Sequence, residues 1–185
     1  LPTVAIIGQA NVGKSSMFNR LTRSRTAIVA REAGTTRDNV VGKVSYKRHA
    51  SSPEETAQAE FWLIDTAGLK TAEDEFEATI QDQIADASAA ADVILVMVDS
   101  TVYPSDADRQ LAKKALKSGK PVLLIANKAD LKESLHVDEF KRLGIKTIIK
   151  TSTEHNIGIS ELLDNIAELI PPATATAPDD IIRVA

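Results

Sequence analysis

Five short apolar runs, at Val4 to Ile7, Phe61 to Ile64, Val93 to Val98, Val122 to Ala126 and Thr147 to Ile149, constrain this chain more than any other feature. Each is nearly continuous rather than alternating, which suits parallel strands covered on both faces. Between them the apolar spacing becomes helical: Met17, Phe18 and Leu21; Phe76, Ile80, Ile84 and Ala87; Leu111, Ala115 and Leu116; Leu162, Leu163, Ile166 and Leu169. Each set predicts one stripe laid against a sheet. Val40 to Tyr46 alternates instead, with Val40, Val44 and Tyr46 on one side. That predicts an edge strand antiparallel to Phe61–Ile64, with the polar residues 48–59 as an elongated hairpin loop. Strands alternating with helices predict a three-layer α/β fold, mostly parallel with one antiparallel edge strand, whose ligand sits at the carboxyl ends of the strands.

At 185 residues and 43% hydrophobic content, the chain suits one domain with a core between two helical layers. A net charge of -4, from 22 basic and 26 acidic residues without a long basic run, gives no sign of autonomous nucleic-acid binding. There is no cysteine, and no apolar stretch approaches the roughly 20 residues needed to cross a bilayer, so no membrane partner is expected. A soluble, reducing compartment such as the cytoplasm fits. The chain begins at Leu1 with no methionine or basic leader, as a piece of a longer protein does. Pro171 and Pro172 end the last helical stripe, giving a domain over 1–170 and an Ala/Thr/Pro linker over 171–180. Residues 181–185 resemble Leu1 to Ala5, either as a chance apolar tail or as the start of a second domain of the same kind.

Gly8, Gln9, Ala10, Asn11, Val12, Gly13, Lys14 and Ser15 match the phosphate-loop pattern G-x-x-x-x-G-K-[ST], between a strand run and an amphipathic stripe as that motif requires. The two glycines remove Cβ atoms where backbone must wrap an anion. Amides from Asn11 to Ser16 and the helix amino terminus then face the phosphates. Lys14 can reach the β- and γ-phosphates, and the Ser15 hydroxyl is a hard ligand for Mg²⁺. The fold expected is therefore that of P-loop NTPases.

The phosphate loop does not choose the base. After Val122–Ala126 come Asn127, Lys128, Ala129 and Asp130, at the carboxyl edge of the sheet. Guanine presents two adjacent donors, its N1–H and exocyclic amine, which the Asp130 carboxylate can accept together, whereas adenine offers an acceptor there. Asn127 would brace the loops around the base, and the aliphatic stem of Lys128 could lie over its face. Ser152 and Thr153, after the last run, stand where a backbone amide could meet guanine O6, or where hydroxyls could simply cap the next helix. His155 has no second histidine or cysteine nearby and reads as a surface loop residue.

Asp65, Thr66, Ala67 and Gly68 follow Phe61–Ile64, which puts a carboxylate beside the metal and a glycine amide near the γ-phosphate. Upstream, Gly34-Thr-Thr-Arg-Asp38 can supply a threonine to both. In this order the segments resemble translation-factor-type GTPases. More closely, Gly8–Ser16, Phe18-Asn-Arg-Leu21, Ile28-Val-Ala30, Gly34–Asp38 and Asp65-Thr-Ala-Gly-Leu69 resemble the Era, MnmE and Der group. Within it, Arg25–Ala30 and the terminal linker look most like the first GTPase domain of the Der family. The resemblance covers Val4 to Ile170. Gln9 and Ala10 depart from a common Arg-Pro, and residues 48–59 are longer than the usual hairpin.

The resemblance implies GTP and GDP as ligands, GTP hydrolysis with Mg²⁺, and a switch role in assembly of the large ribosomal subunit. It assigns Gly8 to Ser15 to phosphate, Ser15, Thr36 and Asp65 to the metal, Asp65 to Leu69 to the switch, and Asn127 to Asp130 to guanine. Lys14, Thr36, Gly68 and Asn11 are the catalytic candidates. Leu69 stands where Ras-like proteins carry a water-orienting glutamine, which leaves open a binding module that barely hydrolyses GTP. Relatives sharing Asn11 and a hydrophobic residue after D-x-x-G use potassium, so K⁺ held partly by the Asn11 amide is a second expected cation. Asn11 shaping the loop through a local hydrogen bond is the alternative.

Overall fold

The computed structural model describes residues 1–23, 29–30, 40–47, 58–66, 84–85 and 87–170. Its elements run β1 (Thr3–Gly8), α1 (Lys14–Arg23), β2 (Val29–Ala30), β3 (Val40–Lys47), β4 (Gln58–Asp65), β5 (Val93–Asp99), α2 (Asp106–Lys117), β6 (Val122–Asn127), a 3₁₀ segment (Val137–Leu143), β7 (Ile148–Lys150) and α3 (Ile159–Leu169). Among the described residues the strands form one sheet in the order β2-β3-β4-β1-β5-β6-β7. The strand β1 lies between β4 and β5 and is parallel to both, and β5, β6 and β7 continue parallel. As expected, β3 runs antiparallel to β4, with Val40 opposite Asp65 and Lys47 opposite Gln58. It is not the outermost strand, however, because the two-residue β2 pairs beyond it.

Burial on both faces explains why the β1, β5 and β6 runs are continuous, whereas in β4 burial alternates, with Trp62 and Ile64 only partly buried. Along β1, Val4 and Ile6 point into one cluster with Met17, Phe18 and Leu21 of α1 and Leu162 and Ile166 of α3. Ala5 and Ile7 point into the other, with Leu111, Ala112 and Ala115 of α2 and Phe140 and Leu143 of the 3₁₀ segment. This is the expected three-layer arrangement. Two stripe members are misplaced by periodicity alone: Leu116 and Leu169, in the last turns of their helices, are 42% and 40% exposed. Residues 87–90 are helical and Ala87 is buried, in line with the second stripe, while Phe76 and Ile80 lie outside the described residues. So do the expected linker, 171–180, and the segment 181–185.

Parallel pairing has one consequence for function. It brings Gly8, Asp65, Asp99 and Asn127, the last residues of β1, β4, β5 and β6, to a single edge of the sheet. No helix among the described residues is long and apolar enough to cross a membrane.

Candidate nucleotide site

The loop between β1 and α1 is shaped by its two glycines and one asparagine. A Cβ on Gly8 would stand 2.5 Å from the Met97 carbonyl oxygen, and one on Gly13 would stand 2.4 Å from Asn127 Nδ2. Gly13 also has φ +104°, and Asn11 has φ +64°, a left-handed conformation that asparagine tolerates better than most side chains. α1 begins at Lys14 with no acidic residue in its first turn, so its amino-terminal amides and dipole are left to an anion. The Lys14 ammonium, buried at the base of the loop, donates to the Gln9 carbonyl at 2.5 Å. Burial pulls its pKa below the usual lysine value, and the negative charge of Asp65 works in the opposite direction.

Next to this loop, Ser15 Oγ donates to Asp65 Oδ2 at 3.2 Å. Asp65 is buried at the end of β4, in register with Ile6 of β1. Thr66 Oγ1 donates to the Ile6 carbonyl at 2.9 Å, fixing the chain where it leaves β4. A hydroxyl and a carboxylate side by side are hard donors of the kind Mg²⁺ takes. Among the described residues no group of three His, Asp or Glu side chains gathers as a protein-only metal cage. Thr36, Ala67, Gly68 and Leu69 lie outside the described residues.

The loop between β1 and α1 is joined to the loops after β6 and β7 through Asn127. Asn127, 4% exposed, donates from Nδ2 to the Val12 carbonyl at 3.0 Å. Its Oδ1 accepts from Thr151 Oγ1 at 3.0 Å, Thr153 N at 3.2 Å and Thr153 Oγ1 at 3.0 Å. Asn127 thus ties the loop between β1 and α1 to the loop after β7. Lys128 has φ +67° and its ammonium sits 2.6 Å from Asp99 Oδ2, which anchors the tip and fixes the course of the stem. Asp99 also accepts from Thr101 N and Oγ1. Burial works to raise the Asp99 pKa, but the Lys128 and Thr101 hydrogen bonds outweigh it and hold the carboxyl below its ordinary value.

Asp130 is ionised more readily than an ordinary aspartate, through a hydrogen bond from Ser152, a backbone hydrogen bond of its own, and the nearby His155. His155 Nε2 lies 3.4 Å from Asp130 Oδ2. A carboxylate held in its charged form is what acceptance of two base donors requires.

Asp99 and two long-range pairings, of Gln9 and of Arg20, escaped the sequence reading. Asp99 had a legible signal, since it ends a buried run at the same edge as Asp65 and Asn127. Gln9 donates from Nε2 to Ser105 Oγ at 2.6 Å and Asp108 Oδ1 at 2.7 Å, joining the phosphate loop to the capping box of α2. Arg20, on α1, donates to the carbonyls of Thr153 and Glu154. Both pairings join residues far apart in the chain, which no local pattern announces. His155, expected only as a surface residue, is exposed but stands against the base-side carboxylate.

A sequence profile of the family described as 50S ribosome-binding GTPase matches residues 3–128. GTPase Der of Thermomicrobium roseum is 39% identical over 180 residues, covering 92% of this chain and 37% of that protein. The chain therefore spans well under half the length of such relatives. Among solved structures, an Aquifex aeolicus Era variant bound to GDP.AlF4- superposes with a TM-score of 0.68 at 27% identity, over 97% of this chain and 60% of that one. Era in complex with MgGDPNP and nucleotides of 16S ribosomal RNA superposes at 0.66 and 25% identity, over the same shares.

Proposed function

The chain belongs to the 50S ribosome-binding GTPase family, and from that premise we propose that it binds GTP and GDP at the carboxyl edge of its sheet and hydrolyses GTP to GDP and phosphate. The observation that carries this reading is the Asn127 brace, which couples the phosphate loop to the loop after β7, and the Asp130 carboxylate lies against Ser152 and His155 of that second loop. In this reading the amides from Asn11 to Ser16 and the Lys14 ammonium take the phosphates, and Asp130 accepts the two guanine donors. Lys128 covers the base with its stem; the Ser152 and Thr153 amides are taken by the Ile157 carbonyl and Asn127 Oδ1, so the O6 contact falls to a backbone amide further along that loop. Ser15 and Asp65, with Thr36, would hold Mg²⁺, which when bound neutralises charge between the β- and γ-phosphates. The chain's own part is positioning: a pre-aimed loop, a dehydrated cation at Lys14, and the Gly68 amide as sensor of the third phosphate.

We extend the proposal to a nucleotide-dependent switch acting in assembly of the large ribosomal subunit in the cytoplasm. Its support is the likeness to Der and the family description. Single-turnover phosphate release from GTP in the presence of Mg²⁺ tests the catalytic part. Release no faster than in buffer, with GDP binding intact, would leave a binding module rather than an enzyme.

A further inference from the structure

Arg20 is exposed on α1, within the Phe18-Asn-Arg-Leu21 segment but with no role assigned to it there, and it makes two contacts across 133 and 134 positions of chain. Its Nε donates to the Thr153 carbonyl at 2.9 Å and its Nη2 to the Glu154 carbonyl at 3.0 Å. A guanidinium carries its donors in a rigid planar fork, so two successive carbonyls are held in one geometry, which a single ammonium cannot do. Because a trans peptide points its N–H opposite its C=O, fixing these carbonyls also fixes where the N–H groups of Glu154 and His155 point. The His155 amide is turned to Ser152 Oγ at 3.2 Å.

The rest of the loop is clamped as well. Ser152 and Ile157 close its neck with reciprocal backbone hydrogen bonds of 3.0 Å, and Asn156 turns the chain at φ +59°. Asn127 grips Thr153 at its amide and hydroxyl. Residues 153–156 therefore form a tip held from Asn127 on one side and from Arg20 on the other. Both grips come from parts that also carry the phosphate site, since Asn127 bonds the Val12 carbonyl and α1 begins at Lys14.

We infer that Arg20 is a positioning residue for base recognition: it sets the peptide planes of the loop after β7 so that a backbone amide of that loop is aimed at the 6-position oxygen of guanine. This rests on the base-pocket reading above. A solvated arginine serving only the helix dipole would be replaceable by lysine and indifferent to the base.

The test measures Kd for GDP and 6-thio-GDP on the whole chain, in the wild type, R20A and R20K. Thio substitution replaces the oxygen acceptor by a weaker one, so the wild type should prefer GDP. R20A is expected to weaken GDP binding by about tenfold and 6-thio-GDP much less, bringing the ratio of the two close to one, and R20K should recover little of it. The inference is overturned if R20A keeps GDP affinity within about twofold, if it weakens both nucleotides equally, or if R20K restores the wild-type ratio. Asp130→Asn serves as the separate control. If it leaves GDP affinity unchanged, the base-pocket reading itself fails; if it weakens GDP while R20A is silent, only the role of Arg20 fails.

Discussion

Replacing Asn127 by alanine should destabilise the protein before any nucleotide is added. The side chain is almost wholly buried and makes one hydrogen bond as donor and three as acceptor. The Thr151 and Thr153 hydroxyls can rotate toward other acceptors once it is gone. The Val12 carbonyl and the Thr153 amide cannot, and each buried group left unpaired costs about 1–3 kcal/mol. The expected loss is about 2–5 kcal/mol, a large part of the ~5–15 kcal/mol that holds a typical domain folded. In a chain of this size that lowers Tm by about 5–15 °C. Asn127→Asp keeps an acceptor for Thr153 but turns a second carboxylate oxygen toward the Val12 carbonyl, so it should be no milder. Calorimetry or urea unfolding on nucleotide-free protein reads the brace without the base contact. A nucleotide-free Asn127→Ala melting within about 1 °C of wild type would refute the argument that this residue joins the two halves of the site.

Gly13→Ala meets both a positive φ and the Asn127 amide at 2.4 Å, and should lose about 2–4 kcal/mol in urea unfolding together with nucleotide binding. Asp130→Asn should lower GDP affinity by at least about tenfold and raise that for XDP, since the amide sets a donor against guanine N1–H; calorimetric titration with both nucleotides checks it. Because Asp99 has its folded-state pKa depressed, the Asp99–Lys128 pair should stabilise fully above about pH 4 and progressively less as pH falls through the lowered value. The difference in urea midpoint between wild type and Asp99→Asn should accordingly shrink in acid. Asn11→Gly removes the amide while keeping φ +64° accessible, so if Asn11 helps hold K⁺ the variant should lose any excess of GTP turnover in K⁺ over Na⁺; equal wild-type rates in the two salts would end that reading.

The parts of the fold that could be read in advance are those where local chemistry and tertiary role coincide. Val4 to Ile7 announces a central strand because every side chain in it is buried, alternately on two faces. Gly8 and Gly13 announce the phosphate loop because the Met97 carbonyl and the Asn127 side-chain amide leave no room there for a Cβ. Where the role depends on a distant partner, the chain is silent. Nothing around Leu116 or Leu169 tells that these last-turn positions stay exposed. The two residues of β2 are too short for any period to register, so β3 looked like an edge. Arg20 and Gln9 are ordinary polar residues until the fold sets carbonyls of the base-side loop and the cap of α2 beside them. Asp130 lies between these cases, since its place in N-K-x-D was legible but the Ser152 and His155 contacts that favour its charge were not.

The protonation of Lys14 shows how the two halves of the site fit together energetically. Its ammonium is already out of water, on the Gln9 carbonyl and near Asp65, and burial lowers its pKa as far as that charge allows. The cost of dehydrating the cation is therefore met when the chain folds rather than when a ligand arrives. A phosphate entering the loop exchanges a neutral carbonyl for an anion and strengthens the charged form of the lysine. Gln9 keeps its own side chain bonded to Ser105 and Asp108, so the carbonyl that Lys14 leaves stays in place as a fixed part of the wall. The same logic holds at the other end, where Asn127 and Arg20 hold the base-side loop from outside its tip. In the proposed reading, affinity then comes from contacts made to groups already aimed.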